Sequence, residues 1–568
     1  MSDRKDLLAA VFFAFLIASG IWLAHQLNTD NGRLKVETIS FVSGDRTLSG
    51  LIYTPPEAHP DNPRPAVVLS HGISSTKETV SGIALELARR GVISLTIDLL
   101  GHGDSEGRLN SADPTIGMLA AVNHLRSLPY VDTGSIGVAG HSLGAGAARA
   151  TAFSMDAPAS ALIGGGVSES TAYQQEGVMN STHPRNILIA VGSHDILFNI
   201  EALREELKPI FRSSEPVEPG VTYGDMESGL ARRLVVTPTI HLLEPLVPVI
   251  VQEVVDWFLK AFDVPSGREL PLDNITYIMR EAAILLALAA MIGLVFPLSR
   301  LMQTYFGDHE ERSKGGVRRK PLSGLRVLII WGGLGLGLFL PFMGLGVLLP
   351  FPPQLFGSSM AWWLLSIGAA GTLIIWFVSS RDAYSKFSMK RLISASFKKS
   401  DALLASALIV FLYLTSVAVE KMLSINLRIF VPILNSLEPA SRVATFPAYI
   451  PFFFVFFFVE GLYLFELRRG ASSDFSDLVK VIVIKLLPYL AVLSVQYAPM
   501  YLLGMRLIPG FLGFFVEFIW AIVPLFAIST ATSWWFRRIT GRIGQGVVFN
   551  VLLMAWVSAS LFPYGTFG

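Results

Sequence analysis

Gly140-His141-Ser142-Leu143-Gly144 organises this chain of 568 residues. The apolar residues 136–139 before it predict a short buried strand, and the small residues 145–150 after it predict a packed helix. A serine in G-x-S-x-G between a strand and a helix sits on a tight, strained turn with its hydroxyl exposed. Glycine is needed at both ends, because a Cβ there would collide with the neighbouring turn. The pattern therefore predicts that Ser142 is a nucleophile.

The overall composition indicates that part of the chain lies in lipid. Hydrophobic residues make up 52% of the sequence and charged residues only 16%, whereas soluble domains carry roughly 25% charged residues. The net charge of +1 gives no reason to expect a nucleic-acid partner. The absence of cysteine excludes disulfides, a cysteine nucleophile and thiolate metal ligands.

Residues 1–33 are predicted to be an N-terminal signal anchor. Arg4 and Lys5 precede an uninterrupted apolar segment at about 7–24. A cleaved signal peptide is the alternative, but the segment is longer than a usual signal-peptide core and lacks an A-x-A cleavage site. We therefore expect a retained transmembrane helix.

Residues 34–262 have the composition of a globular domain in which strands alternate with helical segments. A hairpin is predicted at 36–53, further strands at 65–70, 92–97, 136–139, 159–163, 187–191 and 232–237, and helices near 77–90, 115–128, 200–210 and 246–262. This alternation predicts an α/β fold with a doubly wound, mostly parallel sheet covered on both faces. Residues 263–273 form a polar linker that contains Pro265 and Pro271.

Residues 274–568 are predicted to form an all-α membrane domain with about eight transmembrane helices. Each apolar stretch approaches or exceeds the roughly 20 residues that a bilayer requires. The stretches lie near 274–298, 325–349, 359–379, 402–420, 446–466, 479–499, 510–534 and 546–562.

The distribution of basic residues predicts the orientation in the membrane. Alternate loops, at 300–326, 381–399, 468–480 and 537–542, are rich in lysine and arginine, whereas the loops between them offer only Lys421, Arg428, Arg442 and Arg506. Basic loops face the cytoplasm. The sequence therefore predicts a multi-pass protein of the cell membrane, with a cytoplasmic N-terminus and an extracytoplasmic globular domain.

Two later residues complete a predicted catalytic triad with Ser142. A serine hydroxyl becomes a good nucleophile when a histidine takes its proton, and a carboxylate orients that histidine. Asp195 follows the strand at 187–191, and His241 follows the strand at 232–237. His241 and His309 are the only histidines after Asp195, and His309 lies in a basic loop, so His241 is the predicted base.

With these residues, the segment 35–262 resembles the α/β-hydrolase superfamily, in particular its monoacylglycerol lipase and serine aminopeptidase-like branch. The matching motifs are Ser70-His71-Gly72-Ile73, the segment Asp98–Ser105, Gly140–Gly144, Asp195 and His241. The resemblance implies an oxyanion hole formed by the backbone N–H groups of Ile73 and Leu143. It also implies a serine hydrolase that acts through an acyl-enzyme and needs no cofactor.

The other polar residues near these motifs have structural interpretations. We expect Asp98 and His102 to support turns, and His71 and His141 to shape the site rather than react. His194 beside Asp195 lacks a third clustered ligand, so no metal is expected.

Features outside the triad bear on substrate and on the membrane domain. The segment 165–186 leaves room for a small cap only, so specificity is expected to come from the irregular loop at 213–230 or from the membrane surface. Glu460, Lys485 and Glu517 lie in apolar stretches, where charges are costly. They are therefore candidate functional residues, and the alternative is that they snorkel to an interface or join helices, with Glu460 and Lys485 paired between neighbouring helices.

The sequence thus predicts a membrane-anchored serine hydrolase whose outward-facing domain cleaves carboxylic esters, of lipids or of other apolar acyl compounds. A peptidase or amidase of the same fold is the first alternative. A transporter-like protein with an exported processing or sensing domain is the second, and a binding module without activity is the third. The oligomeric state stays open.

Overall fold

The computed structural model describes residues 2–109, 112–167, 179–264, 270–307, 322–380, 389–430, 432–508 and 510–565. Its described residues form a sheet domain, from residue 34 to residue 264, and a membrane domain, from residue 270 to residue 565. The strands of the sheet domain are β1 Lys35–Ser43, β2 Arg46–Thr54, β3 Arg64–Ser70, β4 Ile93–Ile97, β5 Val131–His141, β6 Ser160–Ile163, β7 Ile187–Gly192, β8 Thr222–Tyr223 and β9 Arg232–Thr237.

These strands form one sheet in the order β1-β2-β4-β3-β5-β6-β7-β9-β8. Six central strands pair in parallel, in the order β4, β3, β5, β6, β7 and β9. The antiparallel strands β1, β2 and β8 lie at the edges. The carboxyl ends of the parallel strands meet at one edge of the sheet, where sites on such sheets collect. The predicted mostly parallel α/β fold is confirmed.

Helices cover both faces of this sheet, as its sequence predicts. The helices are α2 Ser81–Ala88, α3 Met118–Arg126, α4 Leu143–Met155, α5 Ile200–Glu206, α6 Lys208–Phe211 and α7 Pro248–Ala261. Along β3, Ala66 and Val68 pack into the core beside α3 and α4, while Val67 and Leu69 pack beside α2 and α7. A strand buried on both faces reads as a continuous apolar run, and residues 65–69 have that composition.

Two predicted helices are shorter in the structure. The helix expected at 77–90 begins with the 3₁₀ turn Lys77–Val80 and continues as α2 to Ala88. The Lys77 N–H donates to Asp98 Oδ1 at 2.7 Å. The start of the 3₁₀ turn is therefore fixed by a side chain directly after β4 and not by a capping residue of its own. The helix expected at 115–128 begins only at Met118, because Gly117 adopts φ 89°, which is not helical.

Nine helices among the described residues are long and apolar enough to cross a membrane. One is the N-terminal helix α1 Ser2–Asn28. The other eight belong to the membrane domain and are α8 Tyr277–Phe306, α9 Gly324–Leu348, α10 Gly357–Ser380, α12 Lys399–Leu423, α13 Ala440–Glu466, α14 Phe475–Leu503, α15 Gly510–Thr540 and α16 Gly544–Leu561. A short helix, α11 Met389–Ser396, precedes α12. The protein is thus a multi-pass membrane protein with the predicted helical stretches.

The N-terminal helix packs along the first helix of the membrane domain. A Cβ at Gly20 would lie 2.9 Å from the Ala283 carbonyl oxygen, so the two backbones approach closely. Small residues at such contacts let helices pack tightly in lipid. At the end of α1, Asn28 Oδ1 accepts hydrogen bonds from Tyr53 at 3.0 Å and from Arg280 at 2.8 Å. The N-terminal helix is therefore tied to both domains.

A buried arginine joins the two domains. The Arg442 guanidinium donates to the carbonyl oxygens of Gly103 at 2.6 Å and Gly101 at 3.2 Å in the sheet domain. It also donates to the carbonyl oxygens of Ala559 at 2.8 Å and Phe562 at 3.0 Å in the membrane domain. One rigid fork thus fixes the loop at 101–103 against the end of α16.

Candidate active site

Ser142 sits on the sharp turn that its motif predicts. It adopts φ 54° and ψ −115° between β5 and α4, and its N–H donates to the Ile163 carbonyl at 2.8 Å. A Cβ at Gly140 would lie 2.1 Å from the Gly144 carbonyl oxygen, and one at Gly144 would lie 2.6 Å from the His71 carbonyl oxygen. Both distances are impossible for real side chains, which explains the two glycines around the serine.

The structure brings Ser142, Asp195 and His241 together. His241 begins a 3₁₀ turn after β9, and Asp195 lies in the turn after β7. His241 Nε2 is 3.0 Å from Ser142 Oγ, and His241 Nδ1 is 2.8 Å from Asp195 Oδ2. The Asp195 carboxylate also accepts from the Leu197 N–H at 2.7 Å, which fixes its orientation. Residues separated by almost a hundred positions thus form one continuous chain of hydrogen bonds.

The charges around His241 favour its protonated form. Burial opposes a charge on the ring, but the Asp195 and Glu244 carboxylates outweigh it and raise the pKa of His241 well above 6.5. Burial raises the pKa of Asp195 to about 6, with the Glu244 charge acting in the same direction and His241 opposing it. The ring is therefore well suited to accept a proton from the serine hydroxyl.

Glu244 is a functional candidate that the sequence analysis missed. Its carboxylate is fully buried, with Oε1 accepting from the Gly192 N–H at 2.6 Å and Oε2 lying 3.4 Å from His241 Nδ1 and 3.3 Å from His141 Nε2. Burial alone would raise its pKa, but the His141 and His241 rings lower it to about 2. The sequence did contain a signal for Glu244, because this residue follows His241 by three positions, which is one turn of a 3₁₀ helix.

His71 and His141 occupy supporting positions, as expected. His71 Nδ1–H donates to the Gly72 carbonyl at 2.7 Å, and its Nε2 accepts from the Leu99 N–H at 3.2 Å. Burial lowers the pKa of His71 to about 4, so this ring is neutral. His141 Nε2 donates to the His241 carbonyl at 3.0 Å. The two rings thus hold backbone on either side of Ser142.

Asp98 organises the loop that follows β4. It accepts from the Lys77 ammonium at 2.8 Å and from the Asp104 N–H at 2.9 Å, and a Cβ at Gly103 would lie 2.3 Å from its carboxyl carbon. Burial opposes the charge of Lys77, but the Asp104 and Asp98 carboxylates raise its pKa well above 10.5. The buried His102 donates locally, with Nδ1 3.1 Å from the Leu100 carbonyl. Asp98 and His102 thus stabilise the loop that follows β4.

The two predicted oxyanion donors flank the serine. Leu143 is the first residue of α4, whose initial N–H groups have no partner within the helix. Ile73 follows Gly72, and a Cβ at Gly72 would lie 3.2 Å from the Ser142 Cβ, so this segment runs directly against the serine. Ile73 lines the cavity that also contains Ser142, and Leu143 follows the serine directly in the chain.

One group of side chains near the site has ligand atoms close enough to hold a metal. His141, His241 and Glu244 offer atoms within 4.8 Å of one another in the part of the chain that the structure describes. The hydrogen bonds and charge attraction of these residues account for their closeness. His194 takes no part, because its ring stacks on Tyr501 with centroids 3.9 Å apart.

Helices of the membrane domain close the site. Ser142 and His241 open into a cavity with about 1070 Å³ of empty space, the part open to solvent included. The membrane domain contributes mostly apolar side chains to its wall, namely Met343, Phe356, Met360, Phe514, Glu517, Phe518, Ala521, Ile522, Leu525, Val557, Leu561 and Phe562. The loop at 213–230, one of the two expected sources of specificity, does not line this cavity. Its strand β8 pairs at the sheet edge.

The three intramembrane charges have different surroundings. Lys485 and Glu460 pair, as the sequence suggested, and the Lys485 ammonium lies 3.9 Å from the Phe526 ring centroid. Glu517 instead lines the cavity that also contains Ser142, and its Oε1 accepts a hydrogen bond from Tyr497 on the neighbouring helix α14. The predicted cap at 165–186 lies partly outside the described residues, which omit 168–178.

Comparisons with known proteins agree with this description. Residues 61–202 match the family model described as "Serine aminopeptidase, S33". "Uncharacterized protein YcjY" from Escherichia coli (strain K12) is 32% identical over 116 residues, which are 19% of this chain and 38% of that protein. The match thus spans well under half the length of that relative.

Solved structures also align with part of the chain. Dienelactone hydrolase from Anabaena variabilis is 17% identical and aligns over 40% of this chain and 98% of its own, with a TM-score of 0.28. Est1E from Butyrivibrio proteoclasticus with bound ferulic acid is 17% identical and aligns over 40% of this chain and 99% of its own, with a TM-score of 0.31.

The sheet order, the serine turn and the family match define the sheet domain as an α/β-hydrolase domain. In this chain it is joined to a helical membrane domain.

Proposed function

We propose that this protein is a membrane-bound serine esterase whose apolar acyl substrate lies between its two domains. One observation carries the proposal: the Ser142 hydroxyl, hydrogen-bonded to His241, opens into an apolar cavity walled by membrane helices. Burial of apolar surface contributes roughly 25 cal/mol per Å², so such a cavity favours an acyl chain over a polar peptide.

The first half of the reaction forms an acyl-enzyme. Ser142 Oγ attacks the ester carbonyl carbon while His241 Nε2 takes the hydroxyl proton. Asp195 holds the ring through Nδ1 and stabilises its positive charge. The backbone N–H groups of Ile73 and Leu143 donate to the oxyanion, and each such donor contributes about 3 kcal/mol of transition-state stabilisation. His241 then protonates the leaving alcohol as the carbon–oxygen bond breaks.

The second half of the reaction releases the acid. A water molecule attacks the acyl-enzyme carbonyl while His241 takes its proton, and the same ring returns that proton to Ser142 Oγ.

The proposed orientation places the sheet domain outside the cytoplasm. The loops poor in basic residues face the sheet domain, since Arg442 contacts Gly103 and the Ser436 hydroxyl donates to Asp104 at 2.7 Å. Asp6 lies 3.5 Å from Arg300 at the opposite end of α8. The basic side is therefore the distal side, and basic loops face the cytoplasm.

Labelling with a fluorophosphonate probe tests the nucleophile. We expect the wild type to label, Ser142→Ala to lose labelling, and Ser154→Ala to label normally. Ser154 is the matched control, because it lies on α4 and its hydroxyl bonds the Ala150 carbonyl at 2.8 Å, away from the site. Equal labelling of wild type and Ser142→Ala would refute the proposal.

A substrate panel distinguishes an esterase from an amidase or peptidase. The serine aminopeptidase description of the matched family makes an aminoacyl amide the competing substrate. We expect decanoyl esters to be hydrolysed faster than aminoacyl amides by the full-length protein in detergent. Faster cleavage of the amides would instead support a peptidase.

Single cysteines test the orientation in a chain that has none of its own. Asp45→Cys lies in the β1–β2 turn, and Arg469→Cys lies in an exposed basic loop. In intact cells an impermeant maleimide should label position 45 and not position 469. The reverse pattern would invert the topology.

A further inference from the structure

Glu517 is a buried carboxylate in the apolar half of the substrate cavity. Among the described residues that line the cavity from the membrane domain, it alone is ionisable. Glu517 lies on α15, three residues after Phe514 and directly before Phe518, and it is only 7% exposed. A charge at such a position is seldom retained without a function.

One oxygen of this carboxylate has no partner. Glu517 Oε1 accepts a hydrogen bond from the Tyr497 hydroxyl on α14. Oε2 is buried and contacts no hydrogen-bond donor among the described residues. A helix-joining role would be complete with the Tyr497 contact, so the second oxygen requires another explanation. A ligand that donates a hydrogen bond would satisfy it.

The position of Glu517 indicates which part of the substrate supplies that donor. The leaving alcohol must reach His241 Nε2 to be protonated, so the alcohol part of the ester lies on the His241 side of the cavity. Glu517 and His241 line the same cavity. An ester group offers acceptors only, and the donor must therefore be a second group on the alcohol.

We propose that Glu517 recognises a hydroxyl or an ammonium group on the alcohol part of the ester, so that the enzyme selects amphiphilic esters over wholly apolar ones. The inference rests on the proposed esterase function and names a specificity-determining residue contributed by the membrane domain. A site built to bond a donor rejects an analogue that lacks it, because the carboxylate is then left unpaired.

Three matched decanoyl esters test this recognition with the full-length protein in detergent. Their alcohols are 3-hydroxypropyl, 3-aminopropyl and 3-methoxypropyl, and the last cannot donate. We expect the wild type to prefer at least one donor-bearing ester over the methoxy ester by about tenfold or more in kcat/KM. The near-isosteric Glu517→Met should reduce that preference to about one while the methoxy ester is still hydrolysed.

Glu517→Gln distinguishes a hydroxyl donor from an ammonium donor. It also keeps the inference testable if Glu517→Met fails to fold. Its amide oxygen still accepts from a hydroxyl, so a hydroxyl preference would largely survive, whereas an ammonium preference would be lost with the charge. Glu438→Gln, an exposed carboxylate of the membrane domain that pairs with Lys421 at 2.7 Å, is the control and should keep the wild-type ratio.

A wild-type ratio near one, or a ratio unchanged in Glu517→Met, would overturn the inference. Fluorophosphonate labelling of Ser142 in each variant reports an intact site independently of the ratio. If the wild type neither labels nor hydrolyses the methoxy ester, the proposed function itself has failed, which is a different result.

Discussion

Glu244 Oε2 lies 3.4 Å from His241 Nδ1, the nitrogen that also contacts Asp195 at 2.8 Å. The proposed base therefore faces two buried carboxylates rather than one. Each stabilises the protonated ring, and the shorter contact belongs to Asp195. This arrangement makes the pH dependence of the enzyme a direct test of the site.

We predict that the activity of the wild type rises with pH through a midpoint above 6.5. His241 acts as a base only when neutral, and the two carboxylates raise its pKa. Glu244→Gln removes one negative charge while its amide oxygen still accepts from the Gly192 N–H, so the midpoint should move to lower pH. The profile of kcat/KM against pH measures this shift. Glu227→Gln, in an exposed loop, is the control, and an unmoved midpoint in Glu244→Gln would contradict the prediction.

Asp195→Asn should be far more damaging than Glu244→Gln. Asp195 makes the shorter contact with His241 Nδ1 and fixes the ring for Ser142, so its amide analogue should lower kcat by about 10³–10⁴-fold. Steady-state kinetics of the two variants at a pH above both midpoints compare the losses directly. Equal losses would assign the orienting role to both carboxylates.

Gly140→Ala should abolish labelling of Ser142 and destabilise the protein. Its Cβ would lie 2.1 Å from the Gly144 carbonyl oxygen, which the strained turn cannot move away. The expected cost is about 3 kcal/mol or more, seen as a lower midpoint of thermal unfolding. Gly134→Ala on the same strand is the matched control, since its Cβ would meet only Asp132 Oδ1 at 3.5 Å. Normal labelling of Gly140→Ala would argue against the turn geometry.

Leu525→Trp should shift the preferred substrate to shorter acyl chains. Leu525 and Val557 line both the cavity beside Ser142 and a second, wholly apolar cavity with about 420 Å³ of empty space between membrane helices. An indole at position 525 would occupy space at the wall that the two cavities share. Hydrolysis of a series of esters from butanoyl to hexadecanoyl measures the change. Leu512→Trp, exposed on the same helix, should leave the series unchanged.

Arg442→Met should weaken the attachment of the two domains. The variant removes four hydrogen bonds. The Gly103 carbonyl oxygen loses its side-chain donor at a cost of about 1–3 kcal/mol, whereas the Gly101 carbonyl still accepts from the Tyr564 N–H and the Ala559 and Phe562 carbonyls still accept from Gln354. The midpoint of thermal unfolding in detergent should fall, and Arg469→Met at an exposed position should not lower it. An unchanged midpoint would show that the apolar contacts alone hold the interface.

Much of the protein was accessible from local sequence patterns. The sheet, the serine turn and the membrane helices each leave a signal within a few residues, because a strand period, two glycines or twenty apolar residues act locally. Asp195 and His241 were found from their place after successive strands, since the carboxyl ends of parallel strands meet at one edge. The Glu460 and Lys485 pair also followed from the sequence, as opposite charges in lipid need partners.

Glu244, Glu517 and the cover of the active site were decided by the tertiary structure. Glu244 acquires its role only because a 3₁₀ turn folds it back toward the His241 ring, and Glu517 only because α15 packs beside the serine. Glu244 also contacts Gly192 and His141, and Glu517 shares its cavity with Ser142 and His241, so a local pattern reports only part of their surroundings. The sequence alone determined which residues can do chemistry and which segments enter lipid. The packing of the two domains determined what surrounds the serine, because contacts between distant segments exist only once the whole chain has folded.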